Sequence, residues 1–338
     1  MPDRDTAIAA FLDRAGWGDA RRCAIAGDAS QRRYERLVKF DRTAILMDAP
    51  AGQTDDPADF LRIGLHLCGI GLNAPEVFHA DLAQGFLLLQ DFGDATFARV
   101  IAQSPGRQQA MYELAGDVLV HLQSQPAPPG LRNLSADDWA TAAMVALDWY
   151  RFAIVGDRVG VADLRGLLAE AMAAHADGPR VLILRDYHAE NLMWVAGEKG
   201  LARAGLLDFQ LAQMGQPGYD LVSLLQDARR DVPFETEAAC MARFCAATGT
   251  GQHDFHRAYA ILGTQRALRI LGMFARLCLI DGKAQYLVHL PRVWGQLQRN
   301  LAASGLAPLA ELCQRLLPAP DAPNLDRIAR QCAQHAPH

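Results

Sequence analysis

The stretch Leu184–Leu192 reads LRDYHAENL, and Gly205–Ala212 reads GLLDFQLA. In the first, Asp186 follows the apolar run Val181–Leu184 and precedes Asn191 by five positions. In the second, Asp208 closes an apolar run 22 positions after Asp186. A short strand ahead of each aspartate would project its carboxylate from a rigid element. Asp186 is suited to accept a hydrogen bond from a substrate hydroxyl. Asn191 offers a neutral carbonyl oxygen and Asp208 an anionic one, both hard donors of the kind magnesium prefers. His188 is placed to brace the loop by hydrogen bonding, with its ring near Asp186 or Asp208. A single aspartate in a loop is commonly a cap or turn residue. The combination here is far more specific: strand, Asp-x-His-x-x-Asn, apolar pair, turn at Gly197–Gly200, strand, Asp. It points to phosphoryl transfer, where a protein mainly aligns a hydroxyl with a phosphate donor and offsets developing charge.

Toward the N-terminus the pattern predicts a helix followed by a small antiparallel sheet. Ala7, Ile8, Phe11 and Leu12 form a helical stripe ended near Gly16. Strand-like runs follow at 22–26, 34–40 and 43–47, with Asp41-Arg42 as the turn between the second and third. Asp56-Pro57 reads as an N-cap with proline at the first helical position, opening a helix to about Cys68. Two more strands are expected at 76–81 and 86–90, turned by Gln84-Gly85. Beyond Gly93 the pattern is helical, at 107–123, 136–155 and from Tyr219 to Leu317, interrupted by the strand-and-loop island at 181–211. The proline-rich tail from Pro318 is expected to be poorly ordered. The resulting layout is α+β, with a sheet-rich N-terminal lobe (1–90), a connector (91–94), a larger helical lobe (95–317) and a tail (318–338).

Bulk properties narrow the function classes. The chain has 338 residues, is 51% apolar and carries a net charge of −5. This is the balance of a globular protein and argues against a dedicated nucleic-acid binder or an electrostatic membrane anchor. No uninterrupted apolar run approaches the roughly 20 residues of a membrane span, and the N-terminus carries Asp3, Asp5 and Asp13, unlike a signal peptide. The seven cysteines are scattered and form no CxxC, so reduced thiols in a cytoplasmic protein are expected. Lysine occurs only at Lys39, Lys199 and Lys283.

Two further segments bear on a nucleotide. Asp91-Phe92-Gly93 spells a well-known metal motif but precedes the catalytic loop, whereas that motif must follow it. Its place after the strand FLLLQ is that of an interlobe hinge, where the backbone of Gln90, Asp91 and Phe92 is positioned to hydrogen-bond adenine. Gly27–Arg33 lies between two predicted strands, where a phosphate-covering loop belongs. It holds one glycine, so Ser30, Gln31, Arg32 and Arg33 are the candidates to assist the backbone.

These residues resemble the aminoglycoside phosphotransferase superfamily over about residues 20–310, most specifically at 181–228. Within it, the chain is similar to bacterial anomeric kinases of N-acetylmuramate and N-acetylglucosamine. The stretches concerned are SQRRYERL (30–37), AILMDAP (44–50), FLLLQDFGD (86–94), LRDYHAENLMW (184–194) and LLDFQLAQMGQPGYDLVSLLQDARRDV (206–232). The resemblance implies a protein-kinase-like two-lobe fold and ATP- and magnesium-dependent phosphorylation of the sugar C1 hydroxyl. The product would be an α-1-phosphate used in UDP-sugar synthesis during peptidoglycan recycling. Asp186 would be the base, with Asn191 and Asp208 the magnesium ligands.

One departure stands out. The third strand of kinases carries a lysine that contacts ATP phosphates and pairs with a helix glutamate. Here Met47 lies near the lysine position, and the following helix, DFLRIGLHLCG, has no glutamate. Either another cation such as Arg32 or Arg33 covers the phosphates, or the protein is a non-catalytic nucleotide-binding module. The intact trio Asp186, Asn191 and Asp208 favours the first. For the acceptor, Asp227 is a candidate for sugar hydroxyls and Arg230 for the lactyl carboxylate of N-acetylmuramate. Tyr150, beside Trp149 and Arg151, is a candidate stacking or gating residue. Other acceptors of the superfamily, aminoglycoside, choline or homoserine, are the alternatives.

Overall fold

The structure, a computed structural model, describes residues 3–25, 32–50, 52, 55–303 and 305–336. Ser30 and Gln31 lie outside the described residues. Helix α1 (Arg4–Arg14) precedes a five-stranded antiparallel sheet of β1 (Arg21–Ile25), β2 (Arg33–Lys39), β3 (Arg42–Asp48), β4 (Val77–Asp81) and β5 (Phe86–Gln90). Its spatial order is β1-β2-β3-β5-β4. Alternation places Leu37, Ala44, Leu46, Phe86 and Leu88 in one core with Ile8, Phe11 and Leu12 of α1. Met47, Leu87 and Leu89 fall on the opposite parity and are also buried. This explains why FLLLQ reads as a continuous apolar run: β5 sits between two strands and is covered on both faces.

Helix α2 (Pro57–Gly69) starts where its N-cap predicts, with the Asp56 carboxylate accepting the Ala58 N–H at 2.8 Å. The β2–β3 turn falls one residue earlier than the sequence suggests, at Phe40–Asp41, because Phe40 takes a left-handed backbone (φ 54°) and is solvent-exposed.

Helices α3 (Phe97–Gln103) and α4 (Gln108–Ser124) follow, then α5 (Ala136–Ala143), α6 (Phe152–Val155) and α7 (Val161–His175). The motif island holds β6 (Val181–Ile183), β7 (Leu192–Trp194), β8 (Ala204–Leu206) and β9 (Gln213–Gly215), with β7 paired to β8 and β6 to β9. The remainder is helical: α8 (Tyr219–Leu225), α9 (Phe234–Thr248), α10 (Gln252–Leu279), α11 (Leu290–Leu301), α12 (Ala307–Leu316) and α13 (Ala322–Ala329). Among the described residues, no helix is long and apolar enough to cross a membrane.

Two sequence expectations are corrected. The helix read over 136–155 is interrupted: a π-helical turn at Ala146–Arg151 separates α5 from α6. The backbone of α10 approaches this turn so closely at Gly272 that a Cβ there would lie 2.2 Å from the Val145 carbonyl carbon. The tail carries a helix among its described residues, α13 (Ala322–Ala329). Pro323 sits in the first turn of α13, where proline is tolerated, and Asp321 caps it by accepting the Asn324 N–H at 3.0 Å. Arg327 and Gln331 then donate to the Ile154 and Ala153 carbonyls, both at 2.7 Å, satisfying orphan acceptors at the end of α6.

By contacts the chain forms two compact units, Met1–Gly130 with Leu184–Ala212, and Leu131–Ile183 with Gln213–His338. This division differs from lobes cut at 91–94, because the motif hairpin is stitched to residues 73–98. Asn73 Nδ2 donates to the Ala202 carbonyl at 2.6 Å, Ala98 N–H to Ala189 at 3.0 Å, and Trp194 N–H to Ala95 at 2.7 Å.

Candidate active site

The first unit brings Asp186, His188, Asn191 and Asp208 together, and Asn191 is the hub. Its backbone N–H donates to the His188 carbonyl at 2.9 Å, and its carbonyl accepts the Leu207 N–H at 3.0 Å, tying the loop to the strand that delivers Asp208. Its side-chain Nδ2 donates to the Asp186 carbonyl at 2.9 Å and lies 3.4 Å from both His188 Nε2 and Asp208 Oδ2. With Nδ2 committed in this way, the amide oxygen is the atom left for a ligand. Asp186, Asn191 and Asp208 are half-buried and thus within a ligand's reach, whereas His188 is buried. Tyr187 anchors the same loop, its hydroxyl donating to the Ala115 carbonyl of α4 at 2.8 Å.

Two residues of this site hold left-handed backbone without being glycine: Arg185 (φ 74°) and Asp208 (φ 56°). Such geometry costs on the order of 1 kcal/mol per residue and persists only where the surroundings enforce it. For Asp208 the enforcement is visible. Phe209 is fully buried and stacks on Phe60 of α2 with ring centroids 4.7 Å apart. Gly64, one helical turn on, leaves room for that ring; a Cβ there would be 3.3 Å from Phe209 Cζ. Gln210 then turns back and donates from Nε2 to Asp208 Oδ1 at 2.7 Å, fixing the carboxylate's rotation. Sequence reasoning missed Gln210, Phe60 and Gly64. Gln210 was findable from its place two residues past Asp208, whereas the other two required the packing of α2.

The donors fit a hard divalent cation carried by a nucleotide. Such an ion keeps several waters and takes one or two protein oxygens plus phosphates, and Asn191 and Asp208 provide two. Among the described residues there is no group of three or more His, Cys, Asp or Glu able to hold a metal without that help.

The two candidate arginines have different surroundings. Arg33 pairs through Nε and NH2 with Asp48 Oδ2 at 3.0 and 2.7 Å, and Arg4 reaches Oδ1 of the same buried carboxylate from α1. Arg32 is itself buried, pairs with Asp55 at 2.8 Å and lies 3.8 Å from Asp208 Oδ1. Burial pushes the phenol of its neighbour Tyr34 upward, opposed by the Arg32 guanidinium.

In the connector, the Gln90 N–H is taken by the Glu76 carbonyl at 2.8 Å. Asp91 Oδ1 accepts the Gly93 N–H at 2.8 Å, and its other oxygen pairs with Arg36 at 2.7 Å. Phe92 packs over β8, where Gly205 admits the ring; a Cβ there would come within 2.9 Å of it.

The remaining candidates belong to the second unit. Asp227 is 1% exposed, accepting the Arg229 N–H at 2.9 Å and the Arg230 Nε–H at 3.2 Å. Beside it, Gln226 and Asn300 exchange reciprocal amide hydrogen bonds of 3.0 and 2.8 Å. Tyr150, expected as a stacking or gating residue, is fully buried, and its hydroxyl donates to the Pro318 carbonyl at 2.6 Å. Its place is in the core, holding the segment that leads to α13.

A five-stranded antiparallel sheet, a mainly helical remainder and a loop that joins Asp-x4-Asn to a following Asp define a protein-kinase-like phosphotransferase. Residues 22–261 match the phosphotransferase enzyme family, and the chain belongs to that family. It is 37% identical to the N-acetylmuramate/N-acetylglucosamine kinase of Caulobacter vibrioides, over 94% of this chain and 97% of that protein. It is 32% identical to the protein of the same name from Pseudomonas aeruginosa, over 92% and 94% of the two chains. Among solved structures, an aminoglycoside-3′-phosphotransferase of type VIII superposes with a TM-score of 0.55 at 15% identity, covering 77% of this chain and 98% of that one.

Proposed function

We propose that this enzyme uses magnesium-ATP to phosphorylate the anomeric C1 hydroxyl of N-acetylmuramate and N-acetylglucosamine, giving the α-1-phosphate in cell-wall sugar recycling. The observation that carries the chemistry is the convergence of the Asp186 loop and Asp208 on one asparagine amide. The sugar class is supported by relatives of that name matched over nearly the whole chain. A cytoplasmic setting agrees with seven cysteines of which none forms a disulfide among the described residues.

In this reading Asp186 accepts the hydrogen of the sugar hydroxyl and aims its oxygen at the γ-phosphorus. The new O–P bond forms as the bond from the γ-phosphorus to the β,γ-bridging oxygen breaks, and ADP departs with that electron pair. His188 and Tyr187 keep the loop in register. Asn191 Oδ1 and Asp208 would hold the magnesium ion, which when bound offsets charge on the phosphates. Ser30, Gln31, Asp91 and Phe92 are assigned to the nucleotide by their chain positions. Asp227 and Arg230 are our candidates for sugar hydroxyls and the lactyl carboxylate, supported by a buried acid paired to a partly exposed guanidinium.

The test is ADP release with magnesium-ATP and N-acetylmuramate, N-acetylglucosamine or kanamycin, with Asp186→Ala as control and phosphorus NMR of the product. Turnover of both acetylated sugars to an α-1-phosphate, absent in Asp186→Ala, is expected. Turnover of kanamycin alone would reassign the acceptor. ATP binding without turnover of any acceptor would make the protein a non-catalytic module.

A further inference from the structure

We propose that Arg32 is the cation that contacts the ATP phosphates, and that Asp55 is the acid that holds it there. Together they replace a lysine on β3 and a glutamate on α2. This inference rests on the kinase reading above and assigns residues that reading leaves open.

The position on β3 is closed to a charge. Met47 is fully buried, and the inward face of α2 carries Phe60, Ile63, Gly64 and Leu67. An ammonium placed there would lose its water and gain no acid partner, at a cost of several kcal/mol. Lys39 is engaged elsewhere, at the far end of β2, with Asp19 at 2.6 Å and the Gly16 carbonyl at 2.8 Å. Arg33 is engaged with Asp48.

Arg32 is different in kind. Its side chain is 2% exposed, while Asp55 and Asp208 are 46% and 43% exposed. A buried guanidinium is therefore flanked by two acids that reach solvent, and it stands directly behind the carboxylate proposed to hold the metal. The NH2 group is committed to Asp55 at 2.8 Å and the NH1 group faces Asp208 Oδ1 at 3.8 Å. A polyphosphate whose metal is held by Asp208 comes within reach of the same guanidinium. Arginine suits the task because its planar fork stays charged at all working pH and pairs with phosphate through two N–H groups at once. Asp55 also lies next to Asp56, the N-cap of α2, so the pair links the start of β2 to the helix that stacks Phe60 on Phe209. Engaging the phosphates and seating Asp208 then become one packed arrangement.

The experiment compares wild type with Arg32→Ala, Arg32→Met, Arg32→Lys, Asp55→Asn and Arg33→Ala. Two readouts are taken: kcat and KM for ATP, and the ratio of ADP to adenosine affinity by titration calorimetry. The affinity ratio isolates the phosphates, which a purely structural arginine would not influence. Arg32→Ala and the apolar, volume-matched Arg32→Met are expected to lower kcat/KM for ATP about 100-fold and to collapse the ratio toward one. Arg32→Lys recovers part of both, and Asp55→Asn loses about tenfold. Arg33→Ala lowers the melting temperature and leaves the ratio within about twofold of wild type. A folded Arg32→Met protein whose ratio equals wild type overturns the proposal. Failure of the wild type to phosphorylate either sugar would instead refute the functional reading, while the ADP-to-adenosine ratio would still decide on Arg32.

Discussion

At the scale of single residues, this site works by committing one atom of each polar group so that the other is aimed. Asn191 spends its amide nitrogen on the Asp186 carbonyl, and Asp208 gives Oδ1 to Gln210. Replacing Asp186 by alanine removes the proposed hydrogen acceptor and should lower kcat by about 10²–10⁴, with ADP affinity by calorimetry unchanged. Gln210→Leu keeps the bulk and deletes the hydrogen bond, so the carboxylate rotates more freely. The expected outcome is a higher magnesium concentration at half-maximal rate, together with weaker manganese binding by electron paramagnetic resonance. Equal manganese affinity in the mutant would leave Gln210 without a role in placing Asp208. Cys313 is a spectator: burial pushes its thiol up to about 12, leaving almost no thiolate at neutral pH.

At the scale of elements, α2 and α5 make separable predictions. The Gly64 position limits what α2 can carry against Phe209. Gly64→Val forces that ring away and drags Asp208 with it, so kcat should fall on the order of tenfold to a hundredfold while the protein stays folded by circular dichroism. In Gly64→Ala the ring needs to yield only slightly, and a helix-propensity gain of about 1 kcal/mol offsets the contact. For α5, Ser135 and Asp138 form a reciprocal cap: the carboxylate accepts the Ser135 N–H at 2.8 Å and its hydroxyl at 2.7 Å. Those bonds hold the Asp138 carboxyl below its ordinary value of 3.8. A carboxyl depressed in the folded state stabilises above its unfolded value and loses that contribution as pH falls through the folded one. Wild type should therefore melt higher than Asp138→Ala at pH 6, and the gap should close as pH falls past the ordinary carboxyl value and through the depressed folded one. A gap independent of pH would count against the cap.

At the scale of the whole chain, two glycines mark where the second unit tolerates no addition. Gly272 sits against the Val145 backbone, which cannot rotate aside as a side chain would. Gly272→Ala should cost about 3 kcal/mol, read as a lower midpoint in urea. At Gly263 an added Cβ would lie 2.4 Å from Asn300 Nδ2 and 2.8 Å from Gln226 Oε1, so alanine there breaks the reciprocal amide pair. The sequence shows both as ordinary helix glycines. Their constraint comes from α10 meeting elements more than 30 residues away in the chain, and helical spacing carries no record of that approach.

The sequence by itself determined the elements that carry Asp186, Asn191 and Asp208, because those elements are local. Val181–Asn191 and Leu206–Asp208 each encode strand, loop and chemical group within about ten residues, where alternation and side-chain chemistry act directly. It also determined where the five N-terminal strands lie along the chain and the start of α2, since Asp56-Pro57 is a cap that needs no partner. Tertiary structure decided what turns these pieces into a site. Arg32 is buried beside Asp55 and Asp208 whereas Arg33 is largely exposed and pairs with Asp48, and Asp55, Phe60 and Gly64 acquire meaning only once α2 packs on Phe209. It likewise moved Tyr150 into the core and built a helix, Ala322–Ala329, in a tail whose prolines suggested otherwise. The physical reason is the same throughout. Local backbone preference is written in neighbouring residues, whereas the burial and pairing of a charge depend on groups brought close by packing across long stretches of chain.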